Sequence, residues 1–371
     1  MHTSSPPHRP SQERGIALLV VIMLGAILVP FSAEFAYQIN LEVLTANNVT
    51  DQLAIDNAIE SQYQVMLARL EYDGAGNTTD SYADAWNDDE LLQRSEEDSG
   101  VQTRTTIFDE QGKLNILMLA RASADRRAIW KQRLVELIKR FRRDTKFDDA
   151  SSQAEEIAED INRWVTGKTN RASIPKPNTI DDSPMLVLEE LNFVSEVFEK
   201  ERLLVDIREG EATAPGLHRY ITIYGNGKLN LNTADKVVLQ AFFPNDEDVA
   251  DAIIERRDGS GEEDDEVSFS EEEDDGLGGN PFTDPNQVNE VEGVTQPVLL
   301  ANKVIPADDF VVRTNFFGIR ISAQRDASRR EELFIVERVP GQDPNGEIEG
   351  FRHRLCQERT DPLEHTTVEG E

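Results

Sequence analysis

The residues that could do chemistry are few and do not converge. Of five histidines, His2, His8, His353 and His365 fall in sequence that reads as leader or tail, which leaves only His218. No nucleophile motif, phosphate-binding glycine loop or metal-ligand spacing accompanies it, so catalysis is not expected. The single cysteine, Cys356, permits no intrachain disulfide and reads as an incidental thiol near the C-terminus. Carboxylates are abundant: 71 Asp and Glu against 38 Lys and Arg give a formal charge of −33. Eleven of them crowd between Asp258 and Asp275, in a run without ligand spacing that reads as a solvated loop. Asp181 and Asp182 are adjacent, but two neighbouring carboxylates fall short of the roughly six to eight oxygens that calcium takes. An acid-rich surface also repels phosphate backbones, which argues against nucleic acid as the main partner.

The N-terminus carries the strongest signal. A polar segment containing Arg9 and Arg14 ends at Gly15, and Gly15–Ala33 (GIALLVVIMLGAILVPFSA) is uncharged for 19 residues. That approaches the ~20 residues a helix needs to cross a bilayer. The arginines on one side and acid-rich sequence on the other put the N-terminus in the cytoplasm. A secretory signal would break after its apolar core. Here the pattern runs on through Phe35, Ile39, Val43, Val49, Leu53, Ile59, Tyr63, Met66 and Leu70 at three- and four-residue spacings. The expectation is one helix over 16–70, with Pro30 as a candidate kink and an outer half whose apolar stripe needs a folded domain to cover it. A basic leader ending in Gly before such a helix resembles the class III signal of type IV pilins and pseudopilins. The resemblance implies cleavage by a prepilin peptidase between Gly15 and Ile16, and methylation of the new terminus. At the fifth mature position, where that family usually has a glutamate, this sequence has Val20.

Downstream, 71–100 reads mostly as loop with a short helical turn around 88–93, and Val101–Asp109 reads as a strand from its β-branched residues and partial alternation. Tyr220–Tyr224, Val311–Ala323 and Glu332–Val339 read likewise, the last two as a hairpin. Helices are expected over Leu119–Phe141, Ser152–Val165 and Met185–Lys200. The first has an apolar side and a basic one (Arg121, Arg126, Lys131, Arg133, Lys139 and Arg140 among others), which reads as solvated or paired with the chain's own carboxylates. A GKLN motif occurs twice, at Gly112–Asn115 and Gly227–Asn230, each time after a strand. This suggests two helical modules entered by the same type of turn. After the second copy, helices are expected following Ala234, over VADAIIERRDG, and over FTDPNQVNEVEGV. That pattern resembles a helix-hairpin-helix, or SAM-like, bundle. Its hairpin (Phe242–Asp248) has three acids where DNA-binding versions have glycines, so a structural role is expected.

In this order, the anchor RGIALLVVIML, the paired GKLN turns, MLVLEELNFV, GKLNLNTADKVVLQAF and the closing hairpin resemble the K-type minor pseudopilins of type II secretion over most of 14–340. The typical absence of the glutamate in that type agrees with Val20. The resemblance implies an α+β fold: a pilin-like long N-terminal helix packed on an antiparallel sheet, with a large inserted α-helical domain containing the SAM-like modules. The corresponding divisions are leader 1–15; helix, loop and first strand 16–111; first inserted module 112–217; sheet strand 218–227; second module 228–306 with the acidic insert 258–275; C-terminal strands 307–340; and tail 341–371. It further implies a single-pass protein of the bacterial inner membrane with its main domain in the periplasm. The implied partners are I- and J-type minor pseudopilins, prepilin peptidase and other secretion-machinery proteins, and the implied place is the pseudopilus tip. No cofactor is expected, with calcium left open. Some members bind calcium in acidic loops after a Trp, but Trp164 is followed by Val165-Thr166-Gly167-Lys168, which lacks those acids. A minor pilin of a type IV pilus or competence-like DNA-uptake system, or a membrane-anchored helix-hairpin-helix protein that binds DNA, stays open as an alternative.

Overall fold

A computed structural model describes residues 12–87, 93–96, 100–167, 185–194, 196–200, 202–210, 212–259, 280–326, 328–339 and 350–359. Helix α1 spans Gln12–Gly76, 65 residues with Pro30 inside it. At ~1.5 Å per residue it is about 98 Å long. Its two halves differ in what surrounds them. From Leu18 to Leu53 the large apolar side chains are exposed, whereas Ile55, Ile59, Tyr63, Met66 and Leu70 are buried. Spacings of three and four residues put those five on one face, which lies against a β-sheet.

That sheet has five antiparallel strands in simple sequential order: β1 (Gln93–Glu96), β2 (Val101–Asp109), β3 (Phe316–Arg325), β4 (Ser328–Val339) and β5 (Gly350–Arg359). Alternation along β2 buries Val101, Thr103, Thr105 and Ile107. Val101 and Ile107 join Phe317, Ile319, Ile321 and Phe334 in the core beneath α1, where Tyr63 stacks on Phe334 with ring centroids 4.2 Å apart. The β3–β4 hairpin agrees with the sequence expectation, although β3 begins at Phe316 and not at Val311. The last strand was not expected. It lies in the segment read as a tail, and pairs with β4 from Glu331↔Arg359 to Val339↔Gly350. Its sequence, GFRHRLCQER, is so charged that alternation is hard to see, as is common for a strand on a sheet edge. His353 therefore belongs to the sheet and not to a tail.

Register explains one glycine. Gly318 of β3 faces Phe108 of β2, and a Cβ at 318 would collide with the Phe108 ring. Lys113 Nζ lies 4.2 Å from the centroid of the same ring. Gly318→Ala is expected to cost about 1–3 kcal/mol through this overpacking, visible as a lower urea midpoint with an unchanged slope.

Between β2 and β3 the chain builds a helical domain. Its helices are α2 (Met118–Arg121), α3 (Ala124–Arg140), α4 (Ala154–Val165), α5 (Glu196–Lys200), α6 (Lys236–Phe242), α7 (Asp248–Asp258), α8 (Gln296–Ala301) and α9 (Pro306–Asp309). Three segments depart from expectation. The helix expected over Leu119–Phe141 is broken at Ala122-Ser123, where Ala122 turns extended and the chain re-enters as α3. Met185–Lys200 divides into a 3₁₀ segment, Leu188–Phe193, and the short α5. FTDPNQVNEVEGV forms a 3₁₀ segment over Pro285–Glu290, started by the Asp284 cap and Pro285. Buried residues from Leu114 to Phe310 form one continuous cluster, so the two stretches read as modules share a single core.

The expected sheet strand at 218–227 is also corrected. Ile221–Thr222 does not join the large sheet; it pairs in parallel with Leu114–Asn115 of the first GKLN motif. Leu229–Asn230 of the second motif pairs in the same manner with Phe310–Val311. The side chains follow suit. Asn115 Oδ1 accepts from Leu117 N at 2.9 Å, and Asn230 Oδ1 accepts from Asn232 N at 3.1 Å. In both motifs the asparagine turns the chain by bonding the amide two residues on, and its Nδ2 donates across to another segment. The repeat seen in sequence is therefore a repeat of the same Asx-type turn.

Candidate functional site

Gly15, Ile16 and Val20 all fall within α1, and Val20 is 49% exposed. The same half of α1 is the one described helix long and apolar enough to cross a membrane, and none of that stretch is buried by the rest of the chain. Its apolar surface thus awaits lipid or other helices. Residues 1–11 of the leader lie outside the described residues, as do 88–92 of the helical turn expected at 88–93, Asp181, Asp182 and nearly all of the acidic insert, while Gln93 opens strand β1 within the stretch read as loop.

The basic side of α3 is taken up inside the chain. Arg133 is buried, donates to Asp309 Oδ1 at 2.8 Å, and lies 3.9 Å from the centroid of Phe242. Arg126 also pairs with Asp309, and Lys131 pairs with Glu159. Glu247 receives Arg140 at 3.0 Å and Arg143 at 3.1 Å. Asp246, its neighbour in the hairpin between α6 and α7, accepts from Asn302 Nδ2 at 2.8 Å. Two of the three hairpin acids thus have cationic or amide partners within the fold, in keeping with the structural role expected of them.

A buried polar junction ties the sheet to the helical domain. Asp109 ends β2 and is 1% exposed. Its Oδ1 accepts from Gln111 N at 2.6 Å, and its Oδ2 accepts from Asn230 Nδ2 and Thr233 Oγ1, each at 2.7 Å. Burial pushes this carboxyl up to about 6 despite those donors. Asn230 also donates to the carbonyl of Asp80 at 3.0 Å. The Asp80 carboxylate in turn receives both Nη atoms of Arg338, at 2.7 and 2.8 Å, and Thr314 N at 2.7 Å. Sequence reasoning passed over Asp80 and Arg338. The first sits in a Gly/Asp/Asn-rich stretch read as loop, the second at the end of an ordinary-looking strand.

Asp80 has two carboxylate neighbours, Asp73 from the last turns of α1 and Asp84 from the following loop. One oxygen from each lies within 4.8 Å of the others, the single group of this kind among the described residues. Trp164 Nε1 donates to Glu190 Oε2 at 3.1 Å, and Glu190 Oε1 accepts from Leu186 N. His218 is no acid–base candidate either. Its Nδ1–H donates to Leu204 O at 2.8 Å, and burial pushes the ring down to about 3, so it stays neutral.

Comparison with known proteins bears on the fold and on one segment. No curated protein matches. A chain of the crystal structure of the GspK–GspI–GspJ complex from the enterotoxigenic Escherichia coli type 2 secretion system superimposes with a TM-score of 0.54 at 16% identity, over 84% of this chain and 97% of that one. The long helix, antiparallel sheet and inserted helices are thus a known α+β arrangement. Residues 229–271, which run from the second GKLN turn through α6 and α7 into the acidic insert, match the family model of protein K of the type II secretion system.

Proposed function

We propose that this chain is a K-type minor pseudopilin of a type II secretion system. The observation that carries the reading is the inserted helical domain between β2 and β3: it enlarges a pilin-like unit, and residues 229–271 within it match the model of protein K. On this reading α1 anchors the protein in the inner membrane, N-terminus inside and main domain in the periplasm. Prepilin peptidase removes residues 1–15 and the new terminus at Ile16 is methylated. The exposed upper length of α1 packs against like helices of I- and J-type minor pseudopilins, a reading supported by the shared fold of one chain in a GspK–GspI–GspJ complex. The bulk of the insert favours the pseudopilus tip over repeated stacking along the fibre. Val20 agrees, since a terminal subunit has no neighbour above it to register against through a glutamate. The two GKLN-led stretches act as structural modules of the helix-hairpin-helix type and bind no nucleic acid.

The test is co-expression of the full chain with candidate I- and J-type proteins, extraction in mild detergent and size-exclusion chromatography. A stoichiometric complex at micromolar concentration, with mass spectrometry giving an N-methylated Ile16, is the expected result. Separate elution of the three proteins, or distribution of this chain along the whole fibre, would overturn the tip assignment.

A further inference from the structure

Asp73, Asp80 and Asp84 are not used by the reading above, and their arrangement is electrostatically incomplete. Asp73 is 3% exposed and Asp80 is 0% exposed, while Asp84 is half-buried. Each carboxylate has some hydrogen bonds. Asp80 takes Arg338 and Thr314 N. Asp84 takes Ser81 N at 2.7 Å and Ser81 Oγ at 3.1 Å, and Asp73 Oδ1 takes Asn77 Nδ2 at 2.9 Å. The second oxygen of Asp73 has no partner among the described residues, although its side chain is buried beside two other acids. An unmet carboxylate oxygen in such a place is costly unless a proton or a cation meets it. Of the three carboxylates, only Asp80 has an ion-pair partner among the described residues, Arg338.

We propose that Asp73, Asp80 and Asp84 form a divalent-cation site of the calcium class. Oxygens within 4.8 Å of one another suit a shared ion at the ~2.3–2.6 Å distances calcium prefers. Water reaching the half-buried Asp84 side fills the remaining coordination. The ligands come from the end of α1 and the loop after it, and Asp80 is bonded to β4 through Arg338. A bound ion therefore fastens the long helix to the sheet at the point where the helix ends. All three ligands come from the pilin-like part of the chain, and Asn230 of the helical insert bonds the Asp80 carbonyl beside them.

The experiment uses the full chain in detergent, stripped with EDTA and titrated with calcium chloride, with thermal melting and calorimetry as readouts. Wild type should melt several degrees higher with millimolar calcium, and magnesium should give a smaller rise. Asp73→Asn keeps the size of the side chain and an acceptor for Asn77. It should be at least as stable as wild type in EDTA, yet bind calcium about tenfold or more weakly. Asp84→Asn should show the same loss and provides a second reading if the first variant folds poorly. The acidic insert is intact in both variants, so diffuse calcium binding there cannot mimic the difference. No calcium response in wild type, or a full response retained in both variants, would overturn the site. An equal response to magnesium would overturn the assignment to calcium.

Discussion

Arg338→Met is expected to lower the unfolding free energy of the detergent-solubilised chain by about 3–5 kcal/mol, read from urea denaturation in EDTA. Arg338 is 7% exposed and spends both Nη atoms on Asp80, which is itself 0% exposed. Nη1 also reaches the Thr314 carbonyl at 2.9 Å, and the guanidinium lies 5.3 Å from the centroid of Phe317. Methionine can fill the space over the ring but leaves Asp80 charged, buried and beside Asp73 and Asp84. The cost is thus that of stranding an anion and not the net worth of the ion pair. A double variant, Arg338→Met with Asp80→Asn, separates the two. It should recover a large part of the loss, because the side-chain amide that replaces the carboxylate can still accept from Thr314 N while the stranded charge is gone. If the single variant lost under about 1 kcal/mol, the burial of this pair would have no energetic meaning.

The same pair shows where sequence reading stops. The lower half of the long helix and the sheet core were legible because periodicity reports burial locally: Ile59, Tyr63, Met66 and Leu70 carry a helical repeat, and Val101–Asp109 partly alternates. The paired GKLN turns were legible because a turn chemistry that recurs leaves the same letters twice. Asp80 and Arg338 are 258 positions apart, and nothing local distinguishes a buried Asp in a polar loop from a solvated one. Tyr220–Tyr224 failed for a related reason. Its residues suit a strand, but two of them are used in a short parallel pairing with the first GKLN motif, a choice made by tertiary closure and not by propensity. The break at Ala122-Ser123 was missed because the apolar spacing resumes in phase on the far side. The expectations at Gly15, Ile16 and Val20 rest on the leader and the helix after it. The carboxylate group required the fold.

The pH response of the junction gives the second large effect. Asp109 has an ordinary carboxylate pKa when the chain is unfolded and one of about 6 when folded. The folded chain therefore binds this proton more tightly, and stability falls as pH rises through the interval from about 4 to about 6. A shift of that size corresponds to about 3 kcal/mol of stability, present below pH ~4 and lost above pH ~6. This runs opposite to the usual acid lability of ion-paired carboxylates. Asp80 faces Asp109 and adds to the upward push, though its own charge is met by Arg338. Thr233, Thr314 and Asn230 donate and oppose it, and burial outweighs them. Asp109→Asn removes the titration. Its amide can serve the two donors at Oδ2 only by turning an N–H toward the Gln111 amide, so it should be less stable than wild type at pH 7 by about 1–3 kcal/mol. The gap between the two proteins should widen as the pH is lowered from ~6.5 to ~4.5, because only wild type gains from the proton. Urea unfolding at several pH values in EDTA measures that gap directly. A gap independent of pH would mean that the Asp109 donors hold its carboxylate charged throughout, and that burial does not decide its state.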